Sequence, residues 1–193
     1  MLSSTSHDGY AEFDIPPVLQ VELDAADTTS ASTEAEKVPR GNGTLILYRY
    51  PPDPQNLARQ NVLKKLVELL EPVVTKWPGK EDLQFEWQFK ELRLERGGLI
   101  TPTDSRNVFI PRPLPPTEKS IVTILIKKSR SQKVVEWDCS KAYLLEPDNS
   151  IFVPPHDSKP CRMWLLTFRY KEKDKEEVNR DAGNSGRVVG QLR

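Results

Sequence analysis

Cysteine and histidine are scarce in this chain: among 193 residues there are two of each, Cys139, Cys161, His7 and His156. Two thiols cannot build the bridge framework that staples small secreted domains. Two histidines, one near the N-terminus and one after Pro154-Pro155, leave a histidine-based metal site or catalytic triad short of groups. No CxxC or HxxxH spacing occurs, so Cys139, Cys161 and His156 form only a minimal cluster. The expectation is no metal and no cofactor, with the thiols acting as small buried hydrophobes. Net charge is absent too, because 28 basic residues balance 28 acidic ones. Whole-chain charge therefore gives no argument for nucleic-acid or membrane binding. The apolar runs fall far short of the roughly 20 residues a membrane helix requires, and "MLSSTSHDGYAEFD" lacks the basic and apolar regions of a signal peptide. A reducing cytosolic or nuclear setting is expected. GxGxxG, GxxxxGK[ST] and GxSxG are all missing, which removes the nucleotide, phosphate-loop and hydrolase motifs.

The charge balance hides an asymmetry. Residues 1–40 hold eight acids against Lys37 and Arg40, a local net of −6, so the remainder carries +6. Rich in Ser, Thr and Ala and without Trp, this stretch is expected to be a disordered acidic arm. Within it "AEFDIPPVLQVEL" interleaves apolar residues with acids, either as a short motif that orders on a partner or as a clip laid on the chain's own domain. A single domain is expected over 43–171, and residues 172–193, charged and glycine-bearing, are expected to be a flexible tail.

Inside the domain, "GTLILYRY" predicts a strand ended by Pro51-Pro52. Asp53-Pro54 resembles a helix start, and Leu63, Leu66, Leu70, Val73 or Val74 and Trp77 keep helical spacing, with Pro72 expected to kink the helix or open a last irregular turn. "LQFEWQFKELRLER" alternates and then slips phase at Leu92 and Leu94, which requires a bulge near Lys90 and Glu91 or a change of packing environment. "SIVTILIKK", "KVVEWDC", "AYLLEPDNSIFVPP" and "CRMWLLTFRYKEK" predict the remaining strands. This order predicts an α+β domain: one amphipathic helix on an antiparallel sheet of about five to six strands, with disordered tails.

Two segments stand out as sites. "RPLPP", Arg112, Pro113, Leu114, Pro115 and Pro116, matches the arginine-plus-PPII core that SH3 domains favour, although Glu118 stands where the full pattern has proline. The same segment must also connect two strands. Lys127, Lys128, Arg130 and Lys133 form a basic hairpin that could grip phosphates, against the ordinary role of charged tips and edge lysines in keeping sheets apart. Asp138, between Trp137 and Cys139, is expected to be a turn acceptor rather than a catalytic acid. No catalytic residue is expected. The leading expectation is a non-enzymatic module that docks protein partners through the arm, the proline-rich loop and the basic hairpin. A second is an accessory protein of viral matrix type on an anionic polymer or membrane surface. A third is a small ligand-binding or enzymatic domain with a pocket that motifs do not reveal.

Overall fold

A computed structural model describes residues 4–28, 35–39, 45–76, 84–113, 120–154 and 159–171. In chain order these form β1 (Ser4–His7), β2 (Tyr10–Asp14), α1 (Pro17–Thr28), β3 (Glu36–Lys37), β4 (Ile46–Tyr50), α2 (Leu57–Val74), β5 (Gln84–Ile100), β6 (Ser105–Arg112), β7 (Ile121–Ile126), β8 (Ser131–Glu136), β9 (Lys141–Leu145), β10 (Ser150–Val153) and β11 (Cys161–Lys171). Every pairing is antiparallel, in the spatial order β1-β2-β9-β6-β11-β5-β10-β7-β8, with β4 also on β5 and β3 on β4.

The long strand β5 turns this sheet over on itself. Gln84–Leu94 pairs with β11, whereas Gly97–Ile100 pairs with β10. Gly97, at φ +89°, sits where the strand leaves one partner for the other, a backbone conformation that favours glycine. The result is a curled half-barrel with two apolar layers. Leu92, Leu94, Phe109, Ile124, Tyr143, Leu145, Ile151, Val153, Met163 and Leu165 fill its concave interior. On the convex side, α1 and α2 cover Val108, Ile110, Leu144, Trp164, Leu166 and Phe168. Strand β11 feeds both layers by alternation, Cys161, Met163 and Leu165 inward, Trp164, Leu166 and Phe168 outward.

The expected architecture of one helix on five or six strands is therefore replaced by two helices on a curled sheet of eleven strands among the described residues. The acidic stretch is the main cause. Leu19, Leu23 and Ala26 fall at i, i+4 and i+7, one face of α1, and are buried with Phe13 and Ile15. Of the two alternatives for "AEFDIPPVLQVEL", the clip on the chain's own body is the one the structure contains; the amide of Ile15 donates to the Ser140 carbonyl at 2.8 Å. Residues 172–193 lie outside the described residues.

The phase slip in β5 has no bulge beneath it, because pairing with β11 runs unbroken from Gln84 to Leu94. Instead the strand changes environment: Phe89 packs on the helix side, and Leu92 and Leu94 enter the interior. Helix α2 begins later than Asp53 suggests. Its N-cap is Asn56, whose side chain accepts the Arg59 amide at 2.9 Å, and Pro72 stays within the helix. Leu66 and Leu70 are its most deeply buried leucines, so Leu66→Ala or Leu70→Ala should cost about 2–5 kcal/mol by chemical denaturation. Lys65, which pairs with Glu22 on the exposed side, should tolerate Ala with far less loss. No helix among the described residues is long and apolar enough to cross a membrane.

Candidate functional site

The structure gives Arg112 an internal role. It ends β6 with its side chain fully buried, donating to Asp24 of α1 at 2.7 Å and lying 5.6 Å over Trp164. It belongs to a charged cluster between the helices and the sheet. Arg162 on β11 forks onto both carboxylate oxygens of Asp27 at 2.8 and 2.9 Å and also holds Glu91, whose other oxygen meets Arg59 of α2 at 2.9 Å. The geometry ties α1, α2, β5, β6 and β11 together. An arginine used this way is not presented to a partner domain. Pro113 is exposed, and Leu114, Pro115 and Pro116 lie outside the described residues.

Asp138 accepts from the Ser140 amide at 2.8 Å and from its hydroxyl at 2.7 Å, which makes it a turn acceptor. Cys161 is buried on the interior face, and that burial pushes its thiol up to about 11; Cys139 is half-buried and also raised, chiefly by burial. A thiol shifted in this direction stays protonated at neutral pH and is a poor nucleophile or metal ligand.

The basic hairpin lies at the end of the barrel where the β1–β2, β7–β8 and β9–β10 turns meet. Asn149, which sequence reasoning missed, binds these turns together. Its side chain donates to the Gly9 carbonyl at 2.7 Å and accepts the Lys127 amide at 3.0 Å, while its own carbonyl accepts the Thr101 amide at 2.8 Å. Gly9 has φ +75°, and a Cβ there would stand 2.7 Å from Asn149 Nδ2, so the close approach excludes any side chain. Glu146 is held by Arg106 through contacts of 2.9 to 3.2 Å, and Arg106 also donates to the Val74 carbonyl, anchoring the turns to the end of α2.

Over this clamp opens a cleft of about 650 Å³, lined by Asp8, Gly9, Ile126, Lys127, Lys128, Glu146, Pro147, Asp148 and Asn149. Lys127 is paired with Asp148 at 3.2 Å, while Lys128 has no ion-pair partner among the described residues. Arg130, at φ +52°, lines an adjoining groove that shares Ile126, Lys127 and Asp148 with the cleft. Lys133 sits on edge strand β8, exposed and away from both. The structure thus brings Lys127, Lys128 and Arg130 together and leaves Lys133 apart. The Pro147-Asp148-Asn149 turn was the only sequence signal for the clamp.

This topology can be compared with solved proteins. A Pseudomonas putida prolyl-4-hydroxylase superposes with a TM-score of 0.62 over 85% of this chain and 94% of its own, at 10% identity. The chain shares its fold with this hydroxylase. The non-heme alpha-ketoglutarate-dependent epimerase SnoN of nogalamycin biosynthesis matches at 0.54 over 96% and 86%, with 11% identity. HygX of Streptomyces hygroscopicus, solved with nickel and 2-oxoglutarate, matches at 0.53 over 84% and 83%, also with 11% identity. No family model and no curated protein matches the sequence. At these identities the likeness shows the fold alone. It overturns the expectation of a non-enzymatic docking module and of a matrix-type protein, because the barrel is one on which enzymes are built and the arginine of the docking motif is internal.

Whether the enzymes' iron centre fits is decided by the donors here. Non-heme iron of this kind takes two histidines and one carboxylate around open positions. Inside the barrel, beneath the Asn149 clamp, the facing positions are Leu99, Ile126, Leu145 and Ile151. His7 lies on the outermost strand, stacked on Tyr10 with ring centroids 4.4 Å apart and 3.6 Å from Glu12, and His156 lies outside the described residues. No group of three His, Cys, Asp or Glu side chains able to hold a metal occurs among the described residues. Arg59, Arg112 and Arg162, which could have met a dicarboxylate, point to the helix side instead. The residues present do not fit an iron and 2-oxoglutarate centre.

Proposed function

We propose that this chain uses the 2-oxoglutarate oxygenase fold as a small-molecule-binding barrel whose ligand sits in the turn-end cleft rather than on an iron in the interior. The observation that carries this reading is the pairing of a mainly apolar interior, with no group of three metal-ligating side chains among the described residues, with a shaped polar cleft directly above it. About 650 Å³ lies within the usual range for small-molecule sites, and the hydrogen-bonded turns fix its shape. Glu146 is neutralised by Arg106 and Asp148 by Lys127, which leaves Asp8 facing two cations, Lys128 and the neighbouring Arg130; the surplus positive charge favours a compact molecule carrying a carboxylate or phosphate.

The test is thermal shift and calorimetry with glutarate, citrate and inorganic phosphate. At least one should bind saturably, and Lys128→Glu should weaken it about tenfold or more through loss of a charge-assisted contact. Indifference of all three anions to Lys128→Glu, or no binding by any of them, would refute the assignment of the cleft.

A further inference from the structure

Strand β7 is apolar on both faces. Val122, Ile124 and Ile126 point into the barrel with Val135 and Ile151, whereas Ile121, Thr123 and Leu125 alternate with them and point out of it. An antiparallel strand with one wet face ordinarily carries polar residues there, so a strand apolar on both sides calls for a cover that the described residues do not supply. The neighbouring strands extend the bare surface. Register sets Val134 of β8 and Phe152 of β10 on either side of Thr123, and the next row runs from Leu125 through Ser150 to Ile100 of β5. Ile100, Ile121, Leu125 and Val134 are 70, 52, 37 and 66% exposed, four of the eight large hydrophobic side chains exposed among the described residues. Between them they leave on the order of 400 Å² of apolar surface in water, as much as the largest patch of an ordinary monomer.

Shape and charge select the cover. A flat apolar sheet is complementary to a copy of itself, because two such sheets pack face to face about 10 Å apart without a matched pocket on either. Lys133, opposite Ile124 on the other side of β8, guards that strand's edge but not this face. The two ends of the β7–β8 hairpin differ in sign: Arg130 stands at the tip, and Glu136 lies at the other end beside Ile121. Two copies with parallel strands would set the tip arginines against each other. With antiparallel strands, Arg130 meets Glu136 of the partner subunit while the apolar rows lie over one another. Two such patches bury about 800 Å², and the polar rim brings the contact to the low end of specific interfaces, which corresponds to a dimer that dissociates at micromolar concentration.

We propose that two copies of this chain pack these faces together across a two-fold axis, covering Ile121, Leu125, Val134 and Phe152 and pairing Arg130 with Glu136 of the partner subunit. Sedimentation velocity of the full chain, without added anion, over about 1 to 500 μM tests it. The weight-average mass should rise reversibly from one chain toward two. Val134→Glu should weaken the dimer about a hundredfold or more by placing a charge in its apolar centre, and Val18→Glu, at an exposed valine of α1 away from the face, should leave it unchanged. Both valines are exposed, so both variants should fold. Arg130→Glu should weaken the dimer about tenfold, and adding Glu136→Arg should restore it by reversing both charges. A chain that stays monomeric throughout overturns the proposal, including one in which residues 172–193 cover the face and contact the Ile121 and Val134 methyls. So does a dimer that is indifferent to Val134→Glu, that is lost equally in Val18→Glu, or that the double charge reversal fails to restore.

Discussion

Arg162→Ala should lower the stability of the chain by about 3–5 kcal/mol, the largest loss expected from any single side chain outside the apolar core. Asp27 and Glu91 have side chains only 8% and 1% exposed, and both direct their oxygens at this guanidinium. Removing the cation leaves two buried carboxylates short of a counter-charge, a penalty that protein relaxation offsets only in part. Arg162→Lys keeps the charge but not the fork that meets Asp27 with two nitrogens while reaching Glu91, so it should fall between wild type and Ala. Asp24→Ala leaves the fully buried Arg112 with Asp27 alone, at 3.6 Å, so it should cost about 1–3 kcal/mol, less than Arg162→Ala because Asp24 itself is 56% exposed. Denaturant unfolding of the three variants gives the comparison. A loss below about 1 kcal/mol for Arg162→Ala would mean that water reaches the cluster and that α1 is not locked to the sheet. Because Arg112 is buried in the same cluster, Arg112→Ala should also lower the melting temperature, the opposite of what an exposed docking arginine would do.

Asn149→Ala should cost about 1–3 kcal/mol and loosen one end of the barrel selectively. The Lys127 amide loses its acceptor, and the Gly9 carbonyl keeps only the Glu146 amide at 3.1 Å. Methyl-sized Ala leaves a small void over Ile126 and Gly9, which cannot close because Gly9 is already held at positive φ. Asn149→Asp retains the acceptor for Lys127 but places a carboxylate oxygen against the Gly9 carbonyl, so it should not rescue the loss. Hydrogen exchange should speed up at the amides of Lys127, Glu146 and Thr101 and stay unchanged in β11. If the cleft is the ligand site, binding of the anion that stabilises wild type should fall in both variants.

Most strands were legible one at a time, because period-two alternation and turn residues are local signals. Their arrangement was not. Strand β11 lies between β6 and β5, and β9 between β2 and β6, pairings that reach from Tyr10 to Leu145 and that no neighbouring residue announces. The curl of β5 left one trace, Gly97-Gly98, which resembles an ordinary turn unless its partners are known. Helix α1 was hidden by composition: six acids in 8–27 outweighed the Leu19, Leu23, Ala26 stripe, and two of those acids, Asp24 and Asp27, turn out to face arginines from the sheet. Arg112 misled for a related reason, since an arginine before prolines has the same sequence signature in a ligand loop as at the end of a strand. The candidate cleft was half legible: Lys127, Lys128 and Arg130 were visible as a basic turn, but the polar clamp that shapes their surroundings joins residues 9, 127 and 149, far apart in sequence. The shortage of histidine is a property of the sequence itself; the structure adds that Leu99, Leu145 and Ile151 occupy the interior.

The central claim is that an oxygenase-type barrel here works without an interior metal centre. Anaerobic calorimetric titration of the full chain with Fe(II), and with Ni(II) as a redox-stable substitute, in the presence and absence of 2-oxoglutarate, tests it most directly. The account predicts no stoichiometric metal binding and no increase in melting temperature from metal and 2-oxoglutarate together beyond that from each alone. One equivalent of tightly bound metal, tightened further by 2-oxoglutarate, would contradict it.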